Sequence, residues 1–144
     1  MHMEAYKIKI QFFEEQKQFK NAIKGGVYLV ELLKDDKKDS IRLYVGESGT
    51  VIKRCGEHLY DLFNNPSYFG LEEKDLEKSD LTLRISLVES IKEKKKFGWD
   101  KNYKSKEKKA IDDFNPLTQL STSDHQIKDK VEVVQNEMKR LGFK

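Results

Sequence analysis

The sequence predicts an α+β fold, a small three-stranded antiparallel sheet flanked by helices, and three patterns in the chain predict it. Two β-rich apolar runs, Val27 to Leu33 and Ile41 to Val45, are separated by the charged stretch Lys34 to Ser40, the pattern of a hairpin. Leu81, Leu83, Ile85 and Leu87 alternate with Thr82, Arg84 and Ser86, which supplies a third strand. Apolar residues recur at helical spacing over about 50–63, from Tyr103 to Phe114, and from Ile127 to Leu141. A chain of 144 residues is expected to form one domain, 1–144, with a core that needs no disulfide.

Taken in order, residues 1–24 form an N-terminal extension. Tyr6, Ile8 and Ile10 alternate with Lys7, Lys9 and Gln11, which predicts a short strand, placed at an edge by its lysines. Phe12 to Ile23 reads as a short helix ended by Gly25-Gly26. With Lys34 to Ser40 as the hairpin turn, Tyr28 and Tyr44 become opposite or diagonal neighbours, roughly 4.5 to 8 Å apart. Gly46 to Thr50 breaks the second strand and offers Ser48 or Thr50 as the cap of the next helix. Val51, Cys55, Leu59 and Leu62 form its buried stripe, and Arg54 and His58, four apart, share a face bordering it. Two phenols, a guanidinium and an imidazole are thereby expected to converge beside the sheet.

Asn64 to Ser67 is a breaker cluster, and Leu71 to Leu76 reads as a short helical turn. After the third strand, Asn115-Pro116 stops the second long helix, and Leu117 to Leu120 is a short extended piece. Asp124 is placed as the cap of a last helix at about 124–142. Ile127, Val131, Val134, Met138 and Leu141 form a seam on it, for docking on the sheet or for a homodimer contact.

The total charge of +3 is a weak argument for nucleic acid, but its distribution says more. Nine lysines stand against three acids between Lys92 and Lys109, a local +6 that leaves −3 for the rest of the chain. Phe97, Trp99 and Tyr103 are interleaved with them, a mixture suited to phosphate contact and base stacking. Lys94, Lys95, Lys96, Trp99, Lys101 and Lys104 are the candidate nucleic-acid contacts; the alternative is a solvated lysine-rich face. Glu107 falls in phase with Tyr103, Ala110, Ile111 and Phe114, where periodicity asks for an apolar side chain. Buried carboxylates are paired or metal-bound, so Glu107 is either a ligand or a rim carboxylate bonded to an arginine or a helix end.

Cys55, on an apolar stripe, can form no internal disulfide and reads as a core residue. No apolar run approaches the roughly 20 residues that span a bilayer, so no membrane contact and a cytoplasmic location are expected. No CxxC, HExxH, Walker or GxGxxG arrangement occurs.

Gly26-Val27-Tyr28 and Tyr44-Val45-Gly46 resemble the two halves of the GIY-YIG nuclease signature, each with Ile changed to Val. The likeness covers about residues 25–120. Arg54 stands at the place of the family's helix arginine, and His58 resembles the histidine of its restriction-enzyme members. Glu107 resembles the metal-binding glutamate, and Gln119 occupies the place of an asparagine that follows a helix-ending proline. The resemblance implies a metal-dependent endonuclease that hydrolyses DNA phosphodiesters, with Tyr28, Tyr44, Arg54, His58, Glu107 and Gln119 as catalytic residues. It further implies one Mg²⁺ or Mn²⁺ per site, held by Glu107, with DNA as the partner and RNA also compatible. The alternative is a nucleic-acid-binding module of the same fold that does not cleave, which the change of Asn to Gln at 119 would favour.

Overall fold

The computed structural model describes residues 6–13, 15–91, 99–120, 123–126 and 129–143. In chain order the elements are β1 (Lys9–Phe12), α1 (Gln16–Ala22), β2 (Gly25–Lys34), β3 (Ile41–Ser48) and α2 (Val51–Asn64). Two 3-10 turns, Pro66–Phe69 and Glu73–Glu77, lead to β4 (Leu81–Ile91), α3 (Trp99–Phe114), β5 (Gln119–Leu120), β6 (Ser123–Gln126) and α4 (Lys130–Leu141). The chain is α+β, with four helices among the described residues.

The expected three strands form an antiparallel unit with β2 at its centre between β3 and β4. The sheet is larger than that and mixed. Its order is β1-β4-β2-β3, because β1 adds at the edge parallel to β4, pairing Lys9 to Phe12 with Thr82 to Ile85. The apolar character of β2, interrupted only by Glu31, which Ser40 and Arg84 satisfy, follows from its central place, since both of its faces are covered. Tyr28, Val30 and Leu32 belong to the larger core, with Leu62 of α2, Phe69, Leu76, and Leu81, Leu83 and Ile85 of β4. Val27 and Leu29 point the other way and pack with Val45 against Ala110, Ile111 and Phe114 of α3. Cys55 is buried as expected, and burial pushes its thiol up to about 11.

Three boundaries differ from expectation. Phe12 ends β1 instead of starting a helix. Phe13 takes a left-handed backbone (φ 64°) that reverses the chain, and α1 begins at Gln16. Gly25 and Gly26 are strand residues, not a helix end, and a Cβ at Gly26 would lie 2.5 Å from the Glu89 carbonyl oxygen of β4. The last helix begins at Lys130, because Ser123–Gln126 pairs with β5 in a two-stranded ribbon; Asp129, not Asp124, stands at the N-cap position. Of its expected seam, Val134 and Met138 are buried in the larger core and Val131 and Leu141 are half-buried, while Ile127 lies outside the described residues. At Gly70 (φ 76°) an added Cβ would lie 2.7 Å from Val134 Cβ, a measure of how closely α4 sits on the preceding turn.

Among the described residues no helix is long and apolar enough to cross a membrane.

Candidate active site

Tyr28 is 1% exposed in the central strand, so its hydroxyl must find a partner inside the protein. That partner is His58, fully buried on α2, whose Nε2 lies 2.6 Å from the phenol oxygen. Tyr28 sits opposite Gly46 of β3 and Tyr44 opposite Val30, so the two tyrosines are diagonal neighbours, with ring centroids 6.2 Å apart. The glycine is a steric requirement: a Cβ at Gly46 would overlap the Tyr28 hydroxyl and lie 2.5 Å from Tyr28 Cζ and 2.7 Å from Tyr44 Cε1. A bulge where β2 passes β4, between Val27 and Tyr28, adjusts the strand at the same point.

His58 does not border the stripe of α2; it belongs to it. Val51, Cys55, His58 and Leu62 are the buried residues of the helix, while Leu59 is half-buried. The imidazole packs edge-on to Tyr28 (5.4 Å between centroids), Tyr44 (5.3 Å) and Phe69 (5.5 Å), with Tyr68 at 6.1 Å. Burial, with the Arg54 charge beside it, lowers the imidazole to about 4. Burial also raises the Tyr28 phenol well above its ordinary value, and Tyr44 adds to this while Arg54 opposes it. The pair is therefore neutral at neutral pH.

Arg54, one turn before His58, is half-buried and holds Glu57 at 2.7 Å from Nη1. Burial acts to lower its pKa, but the Tyr28 and Tyr44 phenols and Glu57 outweigh that, and the guanidinium stays charged. Tyr44 is pushed up to about 12, by burial first and then by Tyr68, against the pull of Arg54. Glu107 on α3 is half-buried, and its charge also raises Tyr44. Residues from β2, β3, α2 and α3 thus act on one another at one end of the sheet.

Gln119 acts through the backbone. Its Oε1 accepts from Val45 N at 2.8 Å and its Nε2 donates to Val45 O at 2.7 Å, so the side-chain amide pairs with β3 as a strand residue would. Leu117 N to Arg42 O and Thr118 N to Leu43 O continue that pairing, and the segment covers the free edge of β3 beside Tyr44.

Periodicity did not reveal Tyr68 and Phe69, which end the 3-10 turn that begins at Pro66, just past the breaker cluster Asn64 to Ser67. Tyr68 stands 6.3 Å from Tyr44 between ring centroids, and Lys130 Nζ of α4 lies over the Tyr68 ring, 4.4 Å from its centroid. An aromatic pair two residues after a proline was the available signal. Lys94, Lys95 and Lys96 lie outside the described residues. Trp99, Lys101 and Lys104 are placed on α3 by the backbone alone.

Among the described residues no three His, Cys, Asp or Glu gather into a metal-binding group. Glu107 is a single hard oxygen donor, which suits an ion that keeps most of its shell as water and substrate oxygen, as Mg²⁺ does, and not one that needs a full protein cage. No family model matches the chain, and no curated protein or solved structure matches it.

Proposed function

We propose that this protein is a metal-dependent endonuclease that hydrolyses DNA phosphodiester bonds, and that β4-β2-β3 with α2 and α3 is a GIY-YIG-like core. The observation that carries the reading is the buried hydrogen bond between Tyr28 and His58, 2.6 Å long, with Arg54 acting on both tyrosines and Glu107 acting on Tyr44. Phosphodiester hydrolysis uses these groups together: a proton acceptor, a cation for the phosphate, and a hard ligand.

In this mechanism Arg54 binds a non-bridging phosphate oxygen by charge-assisted hydrogen bonds, exchanging its contact with Glu57 for the substrate. Tyr28 orients the attacking water and takes its proton while passing its own to His58 Nε2. The water's lone pair forms the new P–O bond, the bond to the leaving oxygen breaks with its electron pair, and that oxygen takes a proton from solvent. The anionic phosphate offsets the Arg54 charge, one of the two causes that hold the imidazole down, so substrate binding prepares His58 to receive the proton. Tyr44 bonds the phosphate or the water. Gln119 holds the β3 backbone on either side of Val45 in register with Tyr28. Glu107 would hold one Mg²⁺ or Mn²⁺, which when bound supplies charge compensation at the phosphate and the leaving oxygen.

The test is cleavage of supercoiled plasmid in Mg²⁺ or Mn²⁺. Nicked or linear product is expected from the wild type, and a large loss is expected for Tyr28→Phe. DNA binding without nicking across several divalent metals would instead assign the chain to the binding modules.

A further inference from the structure

His58 has a second nitrogen. Its Nδ1 is buried with no hydrogen-bond partner, in a side chain that is fully buried, and leaving such a group unpaired costs about 1 to 3 kcal/mol. The nearest charged oxygen is Asp61 Oδ2, 3.9 Å away and one helical turn further along α2. The other groups facing the imidazole are Tyr28 from β2, Tyr44 from β3, Arg54 from α2, and Tyr68 and Phe69 from the 3-10 turn, with Lys130 of α4 behind Tyr68. Asp61 is the anion among them.

A neutral imidazole carries one proton. If it sits on Nε2, His58 donates to the Tyr28 oxygen and Nδ1 is left as a bare acceptor facing a carboxylate, which is repulsive. If it sits on Nδ1, the hydrogen points toward Asp61, and Nε2 is free to accept from the Tyr28 hydroxyl. The second arrangement satisfies Nε2 and turns the Nδ1 hydrogen toward the carboxylate 3.9 Å away, which attracts it. Hydrogen bonds of this kind are often long in the absence of substrate.

We propose that Asp61 is a positioning residue that holds the proton of His58 on Nδ1, making Asp61, His58 and Tyr28 a carboxylate–imidazole–phenol relay. This deepens the endonuclease reading and rests on it for its catalytic consequence. When Tyr28 gives its proton to Nε2, the imidazole becomes a cation bearing both protons, and Asp61 stabilises it without taking a proton itself. The relay then explains how a histidine in an aromatic cage can serve as the final acceptor.

Long-range ¹H–¹⁵N spectra of the labelled protein read the tautomer directly and need no activity. The chain has three histidines, and His58→Gln identifies the signal that belongs to this one. The wild type is expected to carry the proton on Nδ1. In Asp61→Ala the ring should shift toward the Nε2-protonated form or a mixture. Asp61→Glu, whose longer side chain can close the gap, should keep the wild-type pattern. In cleavage assays Asp61→Ala should lower kcat by roughly 10- to 100-fold with little change in KM, and Asp61→Glu should restore most of it. A wild-type proton on Nε2, or an Asp61→Ala tautomer identical to wild type, would overturn the proposal. If no divalent metal supports cleavage by the wild type, the endonuclease reading fails on its own, and the tautomer spectra still decide the role of Asp61.

Discussion

Replacing Glu107 with Gln keeps the shape of a half-buried side chain and removes the charge that reaches Tyr44, so it separates chemistry from folding. If Glu107 holds the ion, cleavage should fall by at least about two orders of magnitude while DNA binding survives, since each 1.36 kcal/mol is roughly tenfold. A rim carboxylate would give the opposite result, a lower Tm and a nearly intact rate per folded molecule. A folded variant that cuts within about threefold of wild type would sink the metal-ligand role. His58 makes a second residue-scale prediction, this one about stability. The unfolded imidazole takes up its proton near pH 6.5, and the buried one only near 4. Between these values the unfolded chain binds more protons than the folded one. The contribution of His58 is therefore fully present above about pH 6.5 and is lost as pH falls through 6.5 toward 4, by roughly 3 kcal/mol at most. Urea unfolding at a series of pH values should show this slope in the wild type and a shallower one in His58→Gln; equal slopes would place the acid sensitivity elsewhere.

At the scale of elements, α4 supports the site from behind. Its residue Lys130 covers Tyr68, and Val134 and Met138 fill the core beneath the 3-10 turn that carries Tyr68 and Phe69. Met138→Ala should cost about 2 to 5 kcal/mol in chemical denaturation, the range for truncating a buried methionine. A loss under about 0.5 kcal/mol would mean that α4 docks loosely. The sequence made some elements legible and hid others for physical reasons. β2, β3 and β4 were readable because alternation or a continuous apolar run is forced on strands with covered faces. The start of α4 was not, because the β5–β6 ribbon that precedes it is held by backbone pairing, which leaves no hydrophobic period in the side chains. His58 was legible as a neighbour of Arg54 but not as a core residue. A histidine can occupy an apolar stripe only when a distant partner satisfies it, and the Tyr28 hydroxyl lies 30 residues away in the chain. Gln119 was readable as an amide near the end of the motif, while its pairing with Val45 depended on where the chain crosses β3.

At the scale of the whole molecule, the net charge of +3 conceals a local excess of lysine between Lys92 and Lys109. If that stretch tracks a DNA backbone, replacing Lys94, Lys95 and Lys96 with Gln should weaken binding about equally for all sequences. The slope of log K against log salt should flatten by roughly 0.9 for each lost contact with duplex DNA. Fluorescence anisotropy across a salt series measures it, and an unchanged slope would leave these lysines as a solvated face. The parallel pairing of β1 with β4 carries a different consequence, for the order in which the molecule is made. β1 leaves the ribosome before α1, the hairpin and α2, yet its strand partner among the described residues, Thr82 to Ile85, is synthesised after all of them. The hairpin can close on itself early, while β1 must wait as an unpaired strand and dock last, a long-range closure of the kind that slows folding and exposes nascent chains to misassociation.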